Sequence, residues 1–172
     1  NRRVLREDKM NNIPEVKLGI LAVSRDCFPM TLSASRRAKI VETYQAQGGE
    51  IFECKTTVEN EKDMQKAVAE VKEAGCNALV IFLGNFGPET SETLAAREFG
   101  GPVMYIAAAE DSQDSLLDGR GDAYCGVLNL SYNLKLRNIK AYIPENPCLD
   151  AEGAAEAIKD FIPIARTILG LH

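Results

Sequence analysis

The chain has 172 residues and a single histidine, His172, at its last position. Catalysis built on a neutral imidazole base therefore has nothing to use. Cys27 lies near Arg25 in the sequence, but no histidine can serve that cysteine as a base. There is also no C-x-x-C. The five cysteines (27, 54, 76, 125 and 148) are odd in number and widely spaced, which excludes a disulfide framework and reads as small buried hydrophobes in a reducing compartment. No apolar run approaches the roughly 20 residues that span a bilayer. No signal-peptide pattern is visible, so a cytoplasmic location is expected. Basic residues are outnumbered, 20 against 25, for a net charge of -5. Without a basic stripe, a nucleic-acid partner is excluded. The one basic cluster, Arg2, Arg3 and Arg6, falls in residues 1–12, which are expected to be a disordered tail. Residues 1–9 read as an upstream extension or a cloning remnant.

Glycine is missing where two common sites need it. "VSRDCFPMT" has none, which excludes the G-x-G-x-x-G dinucleotide fingerprint and a glycine-rich phosphate cradle. Aspartate is missing from the end of the third apolar run, Leu83-Gly84-Asn85, which excludes a phospho-acceptor receiver. "RGD" at 120–122 is read as coincidence in a cytosolic chain.

What is present is alternation. "KLGILAVS" is a continuous apolar run, the mark of a strand buried on both faces. Leu32, Ile40, Val41 and Tyr44 follow at helical spacing, stopped by Gly48-Gly49. "EIFEC" predicts a second strand. Asn60 then caps a helix with an apolar stripe of Met64, Ala67, Val68, Val71 and Ala74, ended by Gly75. "NALVIFLG" predicts a third strand, with a helix capped by Thr90 or Ser91 up to Gly100-Gly101. "PVMYIAAA" predicts a fourth, followed by the longest connection and a helix over 123–136. "KAYIP" predicts a fifth, and Asp150 caps a last helix that Pro163 should kink or break. Five β-α units with short connections over 13–172 predict one α/β domain. The expected architecture is a three-layer, Rossmann-like or flavodoxin-like parallel sheet in the order 2-1-3-4-5, with helices on both faces.

In such sheets ligands gather beyond the carboxyl ends of the strands, where strand order reverses. That position brings the first strand's exit, "SRDCFP", across from the third strand's exit, "GNFGPET". Arg25, Asp26, Asn85 and Phe86 are thereby the candidate site residues, with the fourth strand's exit adding Asp111 and Gln113. Fork donors, amides and carboxylates suit hydroxyls, and an aromatic face suits the C–H side of a sugar. A solvated turn with Phe86 folded back on the sheet fits these residues equally well. No set of three or four ligands with defensible spacing appears, so no metal is expected on this chain.

The stretch "GNFGPETSETLAAREFGGPVMYIAAAEDSQDSLLDGRGDAYCG", with "KLGILAVSRDCFP" and "LRNIKAYIPENP", resembles the amino-terminal part of the L-fucose/L-arabinose isomerase family, in its fucose-isomerase-like branch. The resemblance covers nearly everything from Met10 onward. It implies the first domain of a longer, multi-domain aldose–ketose isomerase that uses a divalent cation, usually Mn2+, held by two acidic residues and a histidine in later domains. It further implies a homo-oligomer in which this domain lends a strand-exit arginine, matched by Arg25, and an aromatic, matched by Phe86, to a neighbour's active site. The chain departs from the family in "GPET" for "GSET" and in Phe where a tryptophan platform stands nearby. By itself it is expected to be catalytically incomplete, contributing substrate-binding and assembly surface. A non-catalytic sugar-binding or sensing module and a purely structural oligomerisation domain are the alternatives.

Overall fold

The computed structural model describes residues 13–110 and 120–171. Strands β1 (Leu18–Val23), β3 (Ala78–Leu83) and β4 (Val103–Ala108) are buried at every position. Their uninterrupted apolar sequences satisfy a sheet covered on both faces, because alternate side chains turn to opposite layers. The edge strand β2 (Phe52–Val58) is different. It mixes Glu53, Lys55 and Thr57 among apolar residues, and its register with β1 slips between Ile20 and Ala22. Charge and irregularity of this kind deter a further strand from adding to the edge.

All pairings are parallel and the order is β2-β1-β3-β4-β5. Helices α1 (Met30–Ala46) and α5 (Ala151–Gly170) pack together on one face. The other face carries α2 (Glu61–Glu73), α3 (Glu89–Phe99) and α4 (Ala123–Leu136). The expected layers and order are therefore those of the structure. Tyr105, Phe82 and Phe161 are the largest fully buried side chains at the centre of this sandwich.

The two predicted caps at Asn60 and Asp150 form. Asn60 accepts from the backbone N–H groups of Lys62 and Asp63, and Asp150 from that of Gly153 at 2.8 Å, satisfying donors that a helix start leaves orphaned.

Four expectations need correction. First, α3 begins at Glu89 behind an extended Pro88, without a side-chain cap. Ser91 is buried within the helix and so cannot sit outside it as a cap. Second, the fifth strand is not 140–144. Tyr142 makes only an isolated bridge with Met104, and the paired segment β5 is Cys148–Leu149. Pro144 and Pro147 lack the N–H a continuous ladder needs, so the chain serves this sheet edge in two pieces. Third, α5 is not broken at Pro163 but runs on to Gly170; Pro163 is exposed, and the carbonyl it leaves unpartnered can turn to water. Fourth, the cysteines are not uniformly buried: Cys27 and Cys125 are exposed. Among the described residues no helix is long and apolar enough to cross a membrane.

Candidate functional site

Val23 and Leu83, the last residues of β1 and β3, are direct partners in the ladder. Their exits leave the sheet side by side, and this is the point of strand-order reversal. Asn85 ties the two exits together. Its Nδ2 donates to Ser24 Oγ at 2.9 Å, while its Oδ1 accepts the Arg25 N–H at 2.9 Å and the Gly87 N–H at 3.3 Å. It has no exposed surface. The amide expected to meet a ligand is thus spent inside the protein, where three hydrogen bonds fix the backbone on which Arg25 and Phe86 are carried.

Those two side chains meet. The Arg25 guanidinium carbon lies 4.7 Å from the centre of the Phe86 ring, a cation–π distance. Arg25 Nη1 also donates to Glu89 Oε1 at 2.7 Å, and Asn129, from the middle of α4, donates its Nδ2 to the same oxygen at 2.7 Å. Burial alone would raise the Glu89 carboxyl, but its own backbone N–H, the Arg25 cation and Asn129 outweigh that and hold it below the usual glutamate range. Both partners of the Arg25–Glu89 pair are about a third exposed, so the pair contributes ~1 kcal/mol or less to folding. Its effect is to aim the guanidinium.

Two glycines allow the loop to sit this low. Gly87 has φ +79°, and a Cβ there would stand 2.1 Å from Glu92 Oε2. At Gly126, a Cβ would lie 2.1 Å from the Phe86 carbonyl oxygen, so α4 touches the loop through bare backbone.

Beneath Gly87 lies Glu92, fully buried, with neither carboxylate oxygen hydrogen-bonded. Burial, reinforced by the charge of Glu89, raises its pKa well above that of a free glutamate despite the opposing Arg25. The Tyr105 hydroxyl donates to the Glu92 backbone carbonyl, not to its side chain.

A cleft of ≈ 390 Å³ is lined by Arg25, Asp26, Pro88 and Glu89, with Glu59 and Asn60 contributed by the exit of β2. Asp26 is exposed on its wall. Asp111 and Gln113 lie outside the described residues. Their described neighbour Glu110 accepts from the Gly121 N–H at 3.1 Å and pairs with Arg36 at 3.3 Å, while Arg36 also donates to the Gly84 carbonyl. Arg36 thus ties the β4 exit to the β3 exit. A larger hollow of ≈ 530 Å³, at the opposite end of β4 and walled by Val103, Tyr142, Ile164 and Ile168, has an apolar lining that offers little to hydroxyls.

The structure brings Arg25, Asp26 and Phe86 to one place and adds Glu89, Glu92, Asn129 and Glu59, which were not singled out in the sequence. Glu89 was visible within "GPET". Asn129 carries no local signal, because its role depends on where α4 packs. Among the described residues no group of three or more His, Cys, Asp or Glu stands close enough to hold a metal ion. The side chains at this cleft thus do not form a divalent-cation site.

A parallel sheet in this order, with a polar cleft where β1 and β3 end, defines a doubly wound α/β domain of the flavodoxin-like kind. More specifically, the chain belongs to the family of fucose/sulfoquinovose isomerase N-terminal domains, which it matches over residues 19–172. No curated protein matches it. Among solved structures it is similar to a LacI family transcriptional regulator from Weissella paramesenteroides with bound glucose, at 9% identity and a TM-score of 0.36, over 74% of this chain and 58% of that one. It is also similar to an ABC transporter solute binding protein from Mycobacterium smegmatis with bound glycerol, at 16% identity and a TM-score of 0.39, over 87% of this chain and 63% of that one. The chain spans less than two thirds of either relative.

Proposed function

We propose that this domain forms one wall of the sugar site of an aldose–ketose isomerase, and that it binds substrate without completing the catalytic centre. The observation that carries this reading is the Arg25–Phe86–Glu89 unit at the β1/β3 exits, in a chain of the fucose/sulfoquinovose isomerase N-terminal family. Arg25 has five N–H donors, and Glu89 engages Nη1. The rest of the fork is suited to sugar hydroxyls, Asp26 accepts from others, and Phe86 supports the guanidinium while offering an apolar edge. Asp111 and Gln113 are proposed to extend the same wall.

Isomerisation moves hydrogen between adjacent carbons and needs an acid/base pair. A divalent cation, Mn2+ by the family resemblance, would polarise the two sugar oxygens; its ligands are proposed to lie outside this chain, since the residues of this cleft do not fit it. This domain's own residues bind and orient the sugar.

The test is Arg25→Ala in the full-length protein, assayed on fucose and on sulfoquinovose. A charged hydrogen bond is worth ~1.5–3 kcal/mol, so kcat/KM should fall by roughly 10- to 100-fold, with thermal stability nearly unchanged. Unchanged kinetics would remove Arg25 from the site. Turnover by the 172-residue chain alone with excess Mn2+ would overturn the view that it is catalytically incomplete.

A further inference from the structure

The cleft at the ends of β1 and β3 is acidic. Asp26, Glu59 and Glu89 line it, against Arg25 as the one cation in its wall. That cation is already engaged. Glu89 Oε1 accepts from Arg25 Nη1 at 2.7 Å, and the guanidinium lies over the Phe86 ring. Asp26 and Glu59 have no basic partner among the described residues. Two helix starts also open on the cleft, and helix starts are ready seats for anions. Both are occupied by the protein's own acceptors. At α3, the Glu89 carboxylate receives its own backbone N–H. At α2, Asn60 Oδ1 accepts from the Lys62 and Asp63 N–H groups, and Glu61 and Asp63 place further negative charge in the first turn. The wall left for a ligand is rich in acceptors and short of cations.

We infer that Glu59 and Asp26 set the charge class of the substrate: the cleft admits a neutral aldose and rejects one that carries a sulfonate, carboxylate or phosphate. The inference rests on the reading of this cleft as a sugar wall, and it separates the two kinds of sugar that the family's description joins. A neutral aldose brings hydroxyl hydrogens, which carboxylate oxygens accept. A sulfonate brings acceptors alone and a fixed negative charge. In this cleft it would stand within a Debye length, ~8 Å at physiological salt, of two carboxylates that lack a countercharge. Arg25, shared with Glu89, offsets only part of that repulsion. Specificity of this kind comes from repelling the wrong ligand as much as from holding the right one. Glu59 is the residue that local sequence hid, because it reaches the cleft from the exit of β2 and not from β1 or β3.

The test is kcat/KM of the full-length protein on fucose and arabinose, as neutral aldoses, and on sulfoquinovose. The parent should favour the neutral sugars. Glu59→Gln and Asp26→Asn keep size and an acceptor oxygen while removing charge. Each should raise the ratio of sulfoquinovose to neutral-sugar kcat/KM by roughly 3- to 10-fold, the effect of one unit charge a few ångströms away in a wet cleft. Glu59→Lys should move the ratio further in the same direction. Raising NaCl from about 0.05 M to about 0.5 M should shrink the parent's preference, and that of Glu59→Gln by less. Glu73→Gln, at the far end of α2, should leave the ratio unchanged. Melting curves matching the parent's confirm that each variant is folded. A parent that prefers sulfoquinovose, or a ratio indifferent to both Glu59→Gln and Asp26→Asn, would overturn the inference. If Arg25→Ala still weakens every sugar in that case, the sugar wall stands without it. Kinetics indifferent to Arg25→Ala, or turnover of none of the three sugars, would overturn both.

Discussion

Arg25 and Phe86 lie on different strand exits, yet the guanidinium carbon of the first stands 4.7 Å from the ring centre of the second. The contact exists because β1 and β3 are ladder neighbours to their last residues and because Asn85 holds the backbone of both exits. Glu89 and Asn129 then fix the direction of the charge from the far side. The unit is thus supported from two strands and two helices, which is what holding a ligand group at defined geometry requires.

The buried amide is the first point to probe. Asn85→Ala would leave Ser24 Oγ and the Arg25 N–H without partners in a dry environment. A loss of about 2–4 kcal/mol is expected from urea unfolding, since unsatisfied buried groups bear their full desolvation cost. A loss below ~0.5 kcal/mol would mean that the exits hold their shape without it.

Gly87 should tolerate no side chain. Alanine there would have φ near +79° and a Cβ 2.1 Å from Glu92 Oε2 and 2.9 Å from Val23 Cγ2. Left-handed backbone and overpacking together should cost about 2–4 kcal/mol, read as a lower melting temperature. A variant as stable as the parent would mean the loop can lift off Glu92.

Glu92 should make stability depend on pH in an unusual direction. Its folded pKa is raised, chiefly by burial and then by Glu89. Its contribution is therefore fully present below the unfolded value and is lost as pH rises through the folded one. Glu92→Gln removes that ionisation with nearly the same shape. The variant should melt higher than the parent at neutral pH, and the gap should close as pH falls from about 8 to about 4. A gap that stays constant with pH would show that Glu92 does not titrate differently on folding.

The thiols should separate by position. Cys27 and Cys125 are exposed and should react first with a disulfide reagent. Cys54 is buried, and burial followed by the charge of Glu70 pushes its thiol up to about 12. Its native-state labelling should be slower by more than about 100-fold and appear with unfolding. Rapid labelling of Cys54 in the folded protein would contradict its burial.

Three levels of this protein were open to reading in one dimension. Unbroken apolar runs such as "ALVIFL" can only be doubly covered strands, and Asn60 and Asp150 announce their helices because a cap is a contact within a few residues. The reversal of strand order follows from five such units, and it placed Arg25 and Phe86 on facing exits. The errors arose where neighbours in space overrule neighbours in sequence. "KAYIP" has the composition of a strand, but Pro144 at its end and Pro147 beyond it deny the ladder donors, so pairing resumes only at Cys148.

Burial periodicity and capping are local physics, and the amino-acid sequence determined them: the β/α alternation, the parallel sheet and the end at which a ligand would meet it. Which partner each polar group takes depends on the packing of elements far apart in the chain, and only the tertiary structure decided it. Asn85 turned inward to join two loops, Asn129 reached Glu89 from α4, and Glu92 was sealed without a partner. Burial energy selects the layers, whereas hydrogen-bond geometry, accurate to fractions of an ångström, selects the partners.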